Sequence, residues 1–145
     1  MDPHNLFALS GPLALIGWGA LMLSPLIPKL AQWVAGLAVP LVLSVAYTAL
    51  ILVNWADAPG GFASLDEVML LFTVPAVALA GWLHYLAFDL FVGAWVARCA
   101  QAEGMPHLMV IPCLLLTFLF GPAGLVLFLI LRLSRRLTLG GVQNG

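Results

Sequence analysis

Apolar residues fall into four long runs, each closed by turn-forming or charged residues. A membrane-crossing helix needs about 20 mainly apolar residues, and all four runs approach or exceed that. The first is about Leu6 to Leu23 and ends in Ser24-Pro25 and Ile27-Pro28-Lys29. The second, about Leu30 to Trp55, ends in Asp57-Ala58-Pro59-Gly60-Gly61, a strong breaker. The third opens at Ser64-Leu65-Asp66-Glu67, with Ser64 placed to cap a helix and Glu67 three positions on, and predicts a helix over about Asp66 to Ala100. The fourth runs from about His107 to Leu131 and meets Arg132, Arg135 and Arg136. None of the runs alternates apolar with polar positions, which argues against a β-barrel. The pattern predicts an all-α polytopic membrane protein with four transmembrane helices. Residues 1–138 read as one domain and 139–145 as a flexible tail.

The third run is over-long. From Asp66 to Ala100 it measures roughly 50 Å, against a hydrocarbon core of about 30 Å, so it must tilt, bend or leave the membrane. Each run also carries a proline, at Pro12, Pro40, Pro75, and at both Pro112 and Pro122 in the last. Proline frees a backbone carbonyl and kinks a helix. The strongest break is Gly121-Pro122-Ala123-Gly124, which is placed to divide the fourth run into two half-helices. Ala31/Ala35 and Ala76/Ala80 have the spacing of small residues at helix contacts.

Composition agrees with a chain immersed in lipid. It is 63% hydrophobic and 8% charged, whereas soluble domains carry about 25% charged residues. A net charge of −1 leaves no footprint for nucleic acid. Cys99 and Cys113 form no CxxC pair or Cys/His cluster, so neither a metal site nor a disulfide framework is expected. His4 and His107 lie near the ends of runs, apart from His84. The first run lacks a basic leader and reads as a retained span, with no transit-peptide-like extension before it. With four crossings, Arg132, Arg135 and Arg136 share the side of both termini, opposite Lys29 and Arg98. The excess of one positive charge predicts both termini in the cytoplasm of a bacterial inner membrane.

One carboxylate interrupts the third run. Asp89 lies within Gly81 to Trp95, GWLHYLAFDLFVGAW, and a charged side chain at the centre of a membrane helix costs roughly 2.5–3.5 kcal/mol on insertion scales. On an ideal helix it shares a face with Trp82, Tyr85 and Gly93. His84 is turned about 140° away from it, in line with Phe88, Phe91 and Trp95. Asp89 lies nine residues before Arg98, about 13 Å along the axis, which places it in the inner half of the bilayer on that side. Two readings stand: a paired carboxylate that fixes helix packing, and a proton donor or acceptor with Tyr85 or His84 as partner. Trp82, Phe88, Phe91 and Trp95 read as an aromatic wall for a long, flat, mostly apolar ligand. Trp33 and Trp55 fit an interfacial belt.

Phe62 to Phe72 (FASLDEVMLLF), Gly81 to Trp95, and Pro112 to Leu125 (PCLLLTFLFGPAGL) resemble the bacterial branch of the abscisic acid-deficient-four-like family. Its plant members are neoxanthin synthases of the plastid. The Asp89-Leu90-Phe91 core and Gly121-Pro122-Ala123-Gly124 are the most specific parts of the likeness. The resemblance implies a small four-helix membrane protein. It further implies a redox-neutral isomerase that opens a 5,6-epoxy-carotenoid to an allenic alcohol, without metal or redox cofactor. The chemistry needs an acid for the epoxide oxygen and a base for the adjacent polyene carbon, roles open to Asp89 with His84 or Tyr85. After Phe91 this chain has Val-Gly-Ala-Trp, where the plant pattern places a basic residue.

The expected function is therefore a protein of the lipid bilayer that binds a polyene or isoprenoid, with epoxide isomerisation as the implied activity. The competing expectation is a non-enzymatic subunit or assembly factor, alone as a homo-oligomer or within a larger membrane complex.

Overall fold

Proline opens most of the helices. Pro3, Pro28, Pro75 and Pro122 each stand in a first turn, where the missing N–H has no intrahelical partner to lose. The computed structural model describes residues 2–142, with side chains described to residue 138, and all elements among these residues are helical. They are α1 (Pro3–Met22), α2 (Pro28–Trp33), a π-helical turn (Val34–Ala38), α3 (Val39–Asn54), α4 (Leu65–Leu71), α5 (Pro75–Ala102), α6 (His107–Phe120) and α7 (Pro122–Val142). Ser64 caps α4 as its sequence predicts, accepting from the Glu67 amide at 3.2 Å.

The third run is thus two helices. Phe72 closes α4, and α5 restarts at Pro75 after an extended Val74, because a residue before proline is pushed out of the helical region. The 28 residues of α5 reach about 42 Å. On this helix Asp89 lies at mid-length, nearer the centre than on a helix that starts at Asp66.

α5 is the axis of the bundle. α1 runs parallel to it, with Trp82 bonded to Ser10 near one end and Trp18 against Gly93 further along. The α2–α3 segment runs antiparallel, with Tyr47 beside His84 and the Gln32 amide donating to the Ala94 carbonyl at 3.0 Å. Leu21, Leu43, Leu83, Leu90, Leu114 and Phe128 are fully buried among these helices. Small residues let the backbones approach. Ala31, Ala35 and Ala80 are completely buried, so these small-residue positions pack within the chain.

Three helical segments are long and apolar enough to cross a membrane: Pro3–Met22, Pro28–Asn54 and Pro75–Ala102. A fourth crossing is not confirmed: among the described residues the fourth run forms two shorter apolar pieces. α6 has 14 residues, about 21 Å, and descends from the Glu103 end of α5 to the level of Tyr85, whose hydroxyl reaches the Phe118 carbonyl. The chain then reverses at Gly121, and α7 returns alongside α5: Gly121 meets Asp89, Phe128 meets Trp95, and Arg132 meets Glu103. The expected split at Gly121 is present, but its outcome is a helical hairpin that enters and leaves at one end. The start of α1 and the arginines of α7 therefore lie at opposite ends of the bundle, where a four-crossing arrangement places them on one side. α7 continues as helix to Val142, into the segment expected as a tail; residues 143–145 lie outside the described part.

The hairpin closes through glycine. A Cβ added at Gly124 would run into the Thr117 amide and the Cys113 carbonyl of α6. Thr117 turns its hydroxyl to that same Cys113 carbonyl at 2.8 Å, which satisfies a polar group in the apolar interior. At the open end, Glu103 accepts from Arg132, and from Arg136 at 2.7 Å. These bonds hold its carboxyl at about 2, below the ordinary value of 4.5.

Gly124→Ala should destabilise the protein by about 1–3 kcal/mol through overpacking, measured by thermal or denaturant unfolding in micelles. Gly19→Ala, where an added Cβ meets nothing within 4 Å, should cost nothing. Equal effects would contradict the close hairpin contact. A carboxyl held low stabilises the fold above its unfolded pKa and ceases to do so as pH falls through the folded one. The Glu103 contribution should be constant above about 4.5 and vanish as pH falls to about 2. Glu103→Gln should remove that part of the unfolding profile.

Candidate functional site

Asp89 stands where α5 meets the tip of the hairpin. A Cβ on Gly121 would lie 2.8 Å from Oδ1 and 3.2 Å from Oδ2 of its carboxyl, so the carboxyl rests directly on the glycine. Gly121 has φ +49° and ψ −103°, a conformation that L side chains rarely adopt. Both conditions demand glycine at this position. Oδ2 of Asp89 is buried and has no hydrogen-bond partner, the one such side-chain atom among the described residues. The first turn of α7 begins at the next residue.

Tyr85 is one turn before Asp89 on the same face. Its hydroxyl donates to the Phe118 carbonyl over a long 3.4 Å, and its ring stacks on Trp82 at 5.6 Å and 23°. Trp82 donates to the Ser10 hydroxyl at 3.2 Å and leans on Phe7 at 5.6 Å. Between α1, α5 and α6 this leaves a cleft of about 380 Å³, lined by Gly11, Ala14, Trp82, Tyr85, Leu86 and Phe118 among others. Its wall is aromatic and aliphatic, with the tyrosine hydroxyl as the main polar group.

His84 faces elsewhere. It is exposed on the α3 side, stacked on Phe88 at 4.5 Å and 17° and near Tyr47 at 5.7 Å. Phe88 and Phe91 line a separate groove of about 200 Å³ with Pro40, Ser44 and Ala87. Trp95 turns toward α7 and meets Phe128 edge-on at 5.7 Å. The four aromatic residues expected to form one wall are therefore distributed over three places: Trp82 in the Tyr85 cleft, Phe88 and Phe91 in the α3 groove, and half-buried Trp95 against α7. The 140° separation of His84 from Asp89 on an ideal helix carries through to the fold.

Sequence reasoning did not include Phe7, Ser10, Gly11, Ala14, Phe118 and Gly121 in the site. The first four recur along one face of α1, a legible pattern, but nothing in the sequence says that this face meets Trp82. Phe118 and Gly121 enter only because the fourth run folds back. No group of three or more His, Cys, Asp or Glu side chains able to hold a metal ion is found among the described residues.

Gly121→Ala should destabilise by about 1–3 kcal/mol from backbone strain alone, and more from the contact with Asp89. Combined with Asp89→Ala, the contact part should be recovered and the strain part retained. A strictly additive double-mutant cycle would show that the two residues do not touch.

Residues 5–128 match the family model described as ABA DEFICIENT 4-like. The chain belongs to that family, a carotenoid-related group of membrane proteins, as its resemblance implied. No curated protein and no solved structure matches it.

Proposed function

From membership of the ABA DEFICIENT 4-like family, we propose that the chain binds an epoxy-carotenoid or similar oxygenated isoprenoid in the cleft between α1, α5 and α6, and isomerises it. The observation that carries this reading is the unpartnered Oδ2 of Asp89. A buried polar atom without a partner is costly, and a substrate oxygen supplies what the fold withholds. The aromatic cleft, which Tyr85 lines one turn from Asp89, suits the apolar body of such a ligand.

The reaction balances without an oxidant or reductant. Asp89 in its acid form gives a proton to the epoxide oxygen, and the ring C–O bond breaks. The neighbouring polyene carbon then loses its proton to the carboxylate just formed, and the electron pair of that C–H bond makes the new double bond of the allene. The product is an allenic alcohol with the atoms of the substrate, and Asp89 ends as it began. Tyr85, one turn away, is the group placed to hydrogen-bond the developing alcohol. Geometry favours it over His84, which lies across α5 from the cleft. The non-enzymatic alternative loses part of its support, since Ala31, Ala35 and Ala80 are consumed by packing inside the chain.

Asp89→Asn should abolish conversion of epoxy-carotenoids by purified protein, followed by chromatography and the polyene absorption band. Tyr85→Phe should lower turnover by about 10²-fold or more, the scale of one positioned proton-handling group. His84→Ala should leave most activity. Wild-type protein that neither retains nor converts any of a panel of epoxy-carotenoids would refute the proposal. Activity surviving Asp89→Asn would remove the carboxyl from the mechanism.

A further inference from the structure

The charged side chains are sorted by end. All five basic residues, Lys29, Arg98, Arg132, Arg135 and Arg136, lie toward the Glu103 end of the bundle. Lys29 is in the first turn of α2, Arg98 is near the end of α5, and the three arginines are on the returning arm of the hairpin. Asp2, Asp57, Asp66 and Glu67 lie at the opposite end, where α1 and α5 begin. Glu103 is the single acid among the cations, and it is occupied by Arg132 and Arg136. Arg98 donates to Gln32 at 3.1 Å and Arg135 to the Gly104 carbonyl at 3.4 Å. Among the described residues no carboxylate lies within ion-pair distance of Lys29, Arg98 or Arg135.

The same stretch of α7 is apolar on its outward side. Ile130, Leu133 and Leu137 are 56%, 59% and 69% exposed, interleaved with the arginines. A helix that presents leucines and arginines together matches the boundary between hydrocarbon and headgroups. An aqueous partner would leave the leucines in water. The cations are also those counted by the positive-inside rule, which operates on short flanks of membrane helices.

We propose that the Glu103 end of the bundle is a binding surface for anionic phospholipid headgroups of the cytoplasmic leaflet. The chain then crosses the membrane three times, the Pro3 end of α1 faces outward, and the α6–α7 hairpin is re-entrant from the cytoplasmic side. This assignment does not depend on the isomerase reading.

Two measurements test it. Purified protein in micelles is titrated with phosphatidylglycerol, phosphatidylcholine or inorganic phosphate, and the unfolding temperature is followed. Phosphatidylglycerol alone should raise it, less so at high salt. Lys29→Gln/Arg98→Gln/Arg135→Gln keeps the Glu103 pairs and should lose that rise, each change lowering selectivity for the anionic lipid about fivefold. An equal rise with phosphatidylcholine, an equal rise with inorganic phosphate, or a rise retained in the variant overturns the proposal. In intact bacterial cells, a membrane-impermeant maleimide should label Asp57→Cys and spare Thr138→Cys, both made in a Cys99→Ser/Cys113→Ala background. Labelling of both, of neither, or of Thr138→Cys alone overturns the topology. The same pair of substitutions with Cys99 and Cys113 retained, labelled before and after detergent, repeats the comparison if the cysteine-free chain does not accumulate.

Discussion

Two helix backbones touch where α7 passes α6, and the centre of the molecule depends on that contact. Gly124 against Thr117 and Cys113 leaves no room for a methyl group. In lipid there is little hydrophobic gain from bringing helices together, so van der Waals packing and satisfied polar groups carry the association. Here the close approach folds the fourth run into a hairpin. That hairpin supplies Phe118 to the cleft, sets Gly121 on the Asp89 carboxyl, and returns Arg132 to Glu103.

The sequence revealed much of this, though not the reversal. The apolar runs located the three long spans because hydropathy reports immersion directly. Ser64 with Glu67 located the start of α4, and Gly121-Pro122 located the break. Hydropathy cannot distinguish a kinked helix that continues from one that turns back, because both keep the same residues in lipid. The distinguishing contact, Gly124 on the α6 backbone, joins two segments whose crossing no local pattern states. The place of Asp89 along its helix depends on a related ambiguity. Pro75 reads equally well as a kink and as a first helical residue, and the choice moves the midpoint of the helix.

The site shows the same division. Helical geometry alone separated His84 from Asp89 and grouped Asp89 with Tyr85 and Trp82, because those relations live within one helix. The aromatic wall was wrong as a unit, since Phe88, Phe91 and Trp95 project toward different neighbours that only the tertiary arrangement defines. Family membership points to carotenoids; the unpartnered carboxyl oxygen is the atom on which the proposed chemistry rests.

The hairpin also constrains how the protein is made. With 14 residues, α6 is shorter than the roughly 20 a crossing helix requires. As it leaves the ribosome it has no stable place in the bilayer of its own. Its Thr117 and Cys113 backbone is covered only when Gly124 arrives. On the proposed re-entrant topology, α6 and α7 enter together, after α5 is in place to receive them. A ribosome stalled just beyond Gly121 would leave an otherwise inserted chain whose central carboxyl has no seat.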